Sequence, residues 1–381
     1  MQCREMVTKI VSSQPITLEE KNDALEVLLQ RGPVTKALTI PLVWLRDHCR
    51  QPASYNQATN QRKSNATNLF ECAEIDGMES VSITDGNKLA IRWKDGLQSQ
   101  FHVSDIMECS ELDRPPILSN YVKSWKQLSP DELPRINISG FSMKAFADLF
   151  LKYGMVIVDG VEANPHATEQ FCRNIAPIHN TFFGSFWVFS NEKQEKGEEY
   201  HEDTAYGNES IGPHTDGTYF QQTPGIQVFH CLHVAECGGD TLLVDGLYCA
   251  NQLKKGNPEA FRILTEHKIE HNYIEVGNGD AELYFISKEK TTIELDSNGN
   301  IVQIRSHFRF NPYDRAPFRI LRGGNDSAFY ARKALKFYRA YTAFSRICHL
   351  PENSTTISLR PGTVIFIDNF RILHSRTAFT V

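Results

Sequence analysis

Apolar and polar positions alternate along much of the second half of the chain. After Pro224-Gly225, the run Ile226-Gln227-Val228-Phe229-His230-Cys231-Leu232 puts every other residue on one face, as a half-buried strand does. Gly238-Gly239-Asp240 then turns into Thr241-Leu242-Leu243-Val244-Asp245, a second strand, and Thr363-Val364-Ile365-Phe366-Ile367-Asp368 reads as a third. Shorter candidates, Ser80 to Ile83 and Leu89 to Trp93, flank the polar turn Asp85-Gly86-Asn87 near the N-terminus. Helical periodicity is rarer. Met143, Phe146, Leu149, Phe150 and Tyr153 share one face of a helix with Ser142 as its cap and Gly154 as its stop, and the strand Met155 to Asp159 follows at once. A further helix starts at Asn257-Pro258, with cap and first-turn proline in their favoured places, and another spans about 326–344. The pattern is mainly β with flanking helices, and it predicts a small β-rich N-terminal domain (1–115), a proline-punctuated linker (116–134) and a jelly-roll domain (135–381).

Composition narrows the function. Hydrophobic content of 41% and charged content of 23% are those of a globular protein, and no apolar stretch is long enough for a membrane helix. A net charge of −6 without a basic cluster argues against nucleic acid as a partner. The nine cysteines are scattered, odd in number and without a Cys-x-x-Cys pair, which favours reduced thiols inside a cell. Residues 1–15 have neither an apolar signal core nor the acid-free, Arg-rich character of a mitochondrial leader, so the cytoplasm is favoured over the mitochondrial matrix.

Candidate chemistry sits at His214-Thr215-Asp216 and at His374, the latter just after the strand 363–368. Residues two apart on a strand point the same way, so His214 and Asp216 can grip one ion, and His374 supplies a second imidazole. Two His and one carboxylate on one face leave coordination positions open, the ligand set of non-haem Fe(II) oxygenases. Spacing alone is weak: with 13 His and 46 acidic residues, chance supplies roughly 1.6 His-x-acid triplets. His201-Glu202-Asp203 is such a decoy, in a charged stretch that reads as solvated loop. Context separates the two, because only His214 is followed by strand-forming runs. A zinc hydrolase is the competing metal reading, but no general-base motif accompanies these strands.

The runs Val43-Trp44-Leu45-Arg46-Asp47-His48-Cys49, His214 to Leu232, Gly238 to Gly246 and Pro361 to Arg376 closely resemble the gamma-butyrobetaine and trimethyllysine dioxygenases of carnitine biosynthesis. Gly217-Thr218-Tyr219-Phe220-Gln221, Asp203 to Tyr206 and Asn311 to Arg315 resemble the trimethyllysine branch. The resemblance implies a double-stranded β-helix, with Fe(II) on His214, Asp216 and His374, 2-oxoglutarate as cosubstrate and ascorbate as reductant. It implies 3-hydroxylation of N6,N6,N6-trimethyllysine, with gamma-butyrobetaine hydroxylation as the alternative and a catalytically silent binding protein as the alternative of another class. The expectation extends to a homodimer.

Particular residues follow from the same resemblance. Thr241 matches the position whose hydroxyl helps hold the distal carboxylate of 2-oxoglutarate; without the resemblance it is an ordinary strand residue. Phe183, Trp187 and Tyr206 fall where the family cages a trimethylammonium group, whose attraction to each ring is worth roughly 0.5 to 2 kcal/mol. On its own, Phe182 to Trp187 reads as core. Asp203 and Asn311 match positions that meet the polar end of the substrate, and an acid at 203 suits the α-ammonium of trimethyllysine while repelling the bare carboxylate of butyrobetaine.

Two departures stand out. Relatives hold a structural zinc with clustered Cys and a later His, but here Cys49 is joined by Gln51, Ser54 and Leu97, so no structural zinc is expected. The arginine that pairs with the distal carboxylate in relatives falls beyond Val381, so a catalytic domain cut short at its C-terminus, with weak cosubstrate binding, is expected.

Overall fold

The computed structural model describes residues 7–11, 14–20, 23–31, 34–84, 88–109, 121–181, 183–186, 188, 207–276, 282–286, 289–306 and 325–380. The chain divides into two compact units, Met1–Ile117 and Leu118–Val381. It is mostly sheet with some helices.

The first unit holds a four-stranded antiparallel meander, Val7–Val11, Gln14–Glu20, Ala24–Arg31 and Val34–Pro41. A three-stranded antiparallel sheet follows, Val81–Thr84, Lys88–Arg92 and Gln98–His102. Val81 and Ile83 on one strand and Leu89 and Ile91 on the next point into a core with Leu25, Leu45 and Trp93. Cys49 is buried in the same unit: Trp93 Nε1 donates to Ser99 Oγ at 2.7 Å, and Ser99 Oγ donates to Cys49 Sγ at 2.9 Å.

The second unit is built on two four-stranded sheets. One runs Arg135–Asn137, Met155–Asp159, Thr363–Asp368, Ile226–His230, with its first pair parallel and the others antiparallel. The other runs Ile211–His214, Ile372–Arg376, Thr241–Asp245, Ser354–Ile357, antiparallel throughout. Their facing sides share one core: Met155, Ile157, Ile365 and Ile367 from the first sheet, Leu243, Ile357 and Ile372 from the second. The intervening residues point the other way. Val156, Val158, Val364 and Phe366 pack with Phe146 and Phe171 of helices Met143–Tyr153 and Pro165–Ile175. Val244 and Leu373 pack with helices Gly246–Gly256, Pro258–Glu266 and Ser327–Cys348. Strand 363–368 therefore reads as an unbroken apolar run because both of its faces are covered, each fully buried aliphatic side chain being worth about 1.5–3 kcal/mol.

The helix expected from Ser142 to Gly154 spans Met143–Tyr153, with Ser142 Oγ accepting from Ala145 N and Gly154 in the left-handed conformation at φ 75°. Met143, placed on its apolar face, is exposed instead. The expected linker differs more: within 116–134, Trp125 and Leu128 are buried in the inter-sheet core, because two large apolar side chains there gain more from burial than a solvated connection would allow. Among the described residues, no helix is long and apolar enough to cross a membrane.

Candidate metal centre

His214 is the last residue of strand Ile211–His214, and His374 is the middle residue of Ile372–Arg376. The two are direct partners across the antiparallel pairing, so their side chains leave the sheet on the same side, with ring centroids 4.2 Å apart. That side faces the other sheet, since the Phe229 ring lies 5.1 Å from His374. Asp216 is not on the strand, contrary to the two-residue alternation expected from sequence. The strand ends at His214, and Gly217, at φ 67°, turns the chain so that Phe220 N–H donates to the Gly217 carbonyl. A Cβ at Gly217 would meet the Phe220 ring at 2.8 Å, so the turn needs glycine on both counts.

The turn brings the carboxylate back between the imidazoles. His214 Nε2 lies 3.3 Å from Asp216 Oδ1, and His374 Nε2 lies 3.4 Å from Asp216 Oδ2. The ligand atoms of the three residues are all within 4.8 Å of one another, and no other such group of three occurs among the described residues. Both imidazoles are buried, while the Asp216 side chain stays 38% exposed, so the cluster opens on one side. His214 Nδ1 lies 2.9 Å from the Gly212 carbonyl, and its proton donated there leaves Nε2 as the nitrogen that would bind an ion once it loses the proton it shares with Asp216. Burial pushes the Asp216 carboxyl up, but the charge of His374 and the hydrogen bonds and charge of both imidazoles outweigh it and hold the group well below the usual carboxylate range. A cation seated among the three would take over that role, and two imidazole nitrogens with one carboxylate fit a divalent transition metal.

Thr241 lies on the central strand of the same sheet, where Leu243 pairs with His374 and Thr241 pairs with Arg376. It therefore projects from the same face as both histidines, two residues further along. The Arg371 guanidinium makes a buried pair with Asp245, Nε to Oδ1 at 3.1 Å and Nη2 to Oδ2 at 2.7 Å. Phe183 sits in an aromatic cluster that sequence reasoning missed, edge-on to Tyr273 at 5.6 Å, with Tyr219 4.8 Å from Tyr273. Tyr219 comes three residues after Asp216, so the cluster adjoins the metal-binding turn. Trp187, Asp203, Tyr206 and Asn311 lie outside the described residues, as does the decoy triplet at His201.

Residues 126–381 match the family described as taurine catabolism dioxygenase TauD, TfdA family. The chain belongs to this family of dioxygenases. The mitochondrial trimethyllysine dioxygenase of Rattus norvegicus is 32% identical over 354 residues, covering 89% of this chain and 76% of the rat protein. The gamma-butyrobetaine dioxygenase of Homo sapiens is 27% identical over 351 residues, covering 89% of this chain and 84% of the human protein. Among solved structures, PvcB from Pseudomonas aeruginosa overlays this dioxygenase with a TM-score of 0.42 at 16% identity, over 64% of this chain and 77% of that one.

Proposed function

We propose that this dioxygenase hydroxylates N6,N6,N6-trimethyllysine at C3, a step of carnitine biosynthesis, using Fe(II) and 2-oxoglutarate, with ascorbate as reductant. The observation that carries the reading is the convergence of His214 Nε2, His374 Nε2 and the Asp216 carboxylate, open on one side, in a chain whose relatives include trimethyllysine dioxygenases. The three residues would hold Fe(II). When bound, that group would let dioxygen oxidise both molecules, one oxygen atom entering succinate as 2-oxoglutarate loses CO2 and the other inserting into a substrate C–H bond. The chain's own residues bind and orient. Thr241, on the same face as the histidines, would donate its hydroxyl to the distal carboxylate of 2-oxoglutarate. Phe183, with Trp187 and Tyr206, would offer ring faces to the trimethylammonium group, and the aromatic cluster of Tyr273 and Tyr219 supports an apolar wall on that side. Asp203 and Asn311 would meet the amino-acid end.

The two facing four-stranded sheets, with both histidines on an inner face, support a double-stranded β-helix for the second unit and a separate β-rich domain for the first. For the compartment we propose the cell interior, where the thiols found at Cys49, Cys72, Cys172, Cys231, Cys237, Cys249 and Cys348 stay reduced. The cytosol is favoured, and fractionation decides between it and the mitochondrion named for the rat relative.

The test is to incubate the purified chain with Fe(II), ascorbate and 2-oxoglutarate, offer trimethyllysine and gamma-butyrobetaine separately, and follow the products by mass spectrometry. Gain of one oxygen on trimethyllysine, dependent on 2-oxoglutarate, is expected. A gain confined to butyrobetaine would transfer the chain to the other branch, and metal binding without any product would make it a silent binding protein.

A further inference from the structure

Asp216 lies beyond the end of its strand, so no sheet ladder holds it. Its main chain is held by one side chain instead. Asn369, completely buried directly after strand Thr363–Asp368, accepts from Asp216 N–H through Oδ1 at 2.9 Å and donates from Nδ2 to the Asp216 carbonyl at 2.9 Å. Nδ2 also donates to the Pro224 carbonyl at 2.9 Å, and the Asn369 main-chain N–H donates to the Gly225 carbonyl at 3.0 Å. The partners fix the amide's orientation, because one is a donor and two are acceptors, and no flipped amide serves all three. Both ends of the turn from Asp216 to Gly225 are thereby pinned to a single residue. That residue stands five positions before His374, so one segment bears one metal ligand and clamps the backbone of another.

We propose that Asn369 is a positioning residue for the metal centre, presetting Asp216 between the two imidazoles before an ion arrives. The inference rests on the metal reading of His214, Asp216 and His374. Partners one bond removed from a ligand set its geometry, and losing one typically weakens metal affinity by about 10- to 100-fold.

The experiment titrates the metal-free chain with Co(II), which reports ligand geometry through its visible absorption. Asn369→Ala should bind Co(II) about 10- to 100-fold more weakly than the unmutated chain, with an altered spectrum. Asn353→Ala is the control: Asn353 is also buried and donates to the Ile347 carbonyl at 2.8 Å, away from the ligands. It should lower thermal stability while leaving Co(II) affinity and spectrum unchanged. Asn369→Asp, nearly isosteric and kept protonated by its burial, retains the acceptor for Asp216 N–H but has one donor for the two carbonyls of Asp216 and Pro224, so it should fold and still show a changed spectrum. Wild-type affinity and spectrum in folded Asn369→Ala, or a wild-type spectrum in Asn369→Asp should Asn369→Ala not fold, would overturn the proposal. An unmutated chain that takes up no Co(II) would instead bring down the metal reading itself.

Discussion

Asp368 shows how one half-buried carboxylate near the ligand strand links stability to pH. Burial pushes its carboxyl up to about 6 and the charge of Asp245 adds to this, against the Phe370 N–H it accepts and the charge of Arg371. A folded-state value raised above the ordinary 3.8 means that the folded protein keeps a proton which the unfolded chain has released. Stability therefore falls as pH rises between those two values, and the ionised group remains a cost above them. Asp368→Asn keeps an acceptor for Phe370 N–H and carries no charge. It should raise the thermal midpoint at pH 7.5 and bring little change near pH 4; an equal gain at both would contradict the assignment. For the substrate, Trp187→Ala should weaken trimethyllysine binding at least about tenfold, the loss of roughly 1.4 kcal/mol of cation–aromatic contact. Calorimetry on the Fe(II)- and 2-oxoglutarate-loaded protein under nitrogen checks this, and unchanged affinity would remove Trp187 from the cage. Asp203→Asn should narrow the preference for trimethyllysine over butyrobetaine, and an unchanged preference would undercut the role given to that carboxylate.

Elements were legible where both ends carried a stop signal. Ser142 and Gly154 bracket a helix with matching bounds, and strand 363–368 stands out as an apolar run. Helix Gly246–Gly256 was not legible, because Asp245 closes a strand and caps the helix in the same residue, leaving no turn between them. Helix Pro165–Ile175 does open with a readable signal, Asn164-Pro165, the same pair that marks Asn257-Pro258. The N-terminal meander was missed although its first and last strands, Val7–Val11 and Val34–Pro41, are rich in β-branched residues. The metal ligands were legible as residue types, but the Gly217 turn that carries Asp216 off the strand and the Asn369 clamp depend on contacts distant in sequence. Asp245 is the element-scale test. Its carboxylate caps a helix, accepts from Trp125 N–H and pairs with Arg371, whose remaining donors reach the Lys123 and Lys152 carbonyls. Removing it leaves a buried guanidinium without a counter-charge, so Asp245→Ala should cost about 3–5 kcal/mol in denaturant unfolding. A loss under about 1 kcal/mol would mean that the pair is solvated.

At the scale of the molecule, the second unit places two histidines on the inner face of one sheet, opposite a second sheet whose Phe229 ring packs on His374, and lets a turn deliver the carboxylate from outside the ladder. Everything proposed about cosubstrate and substrate depends on that convergence holding iron. The most direct measurement is metal content: load the purified chain and its His214→Ala variant with Fe(II) under nitrogen, remove loosely bound ion, and count iron per chain. One iron per unmutated chain and almost none in folded His214→Ala is the expected result. Equal iron in the two proteins, or none in either, would contradict the account.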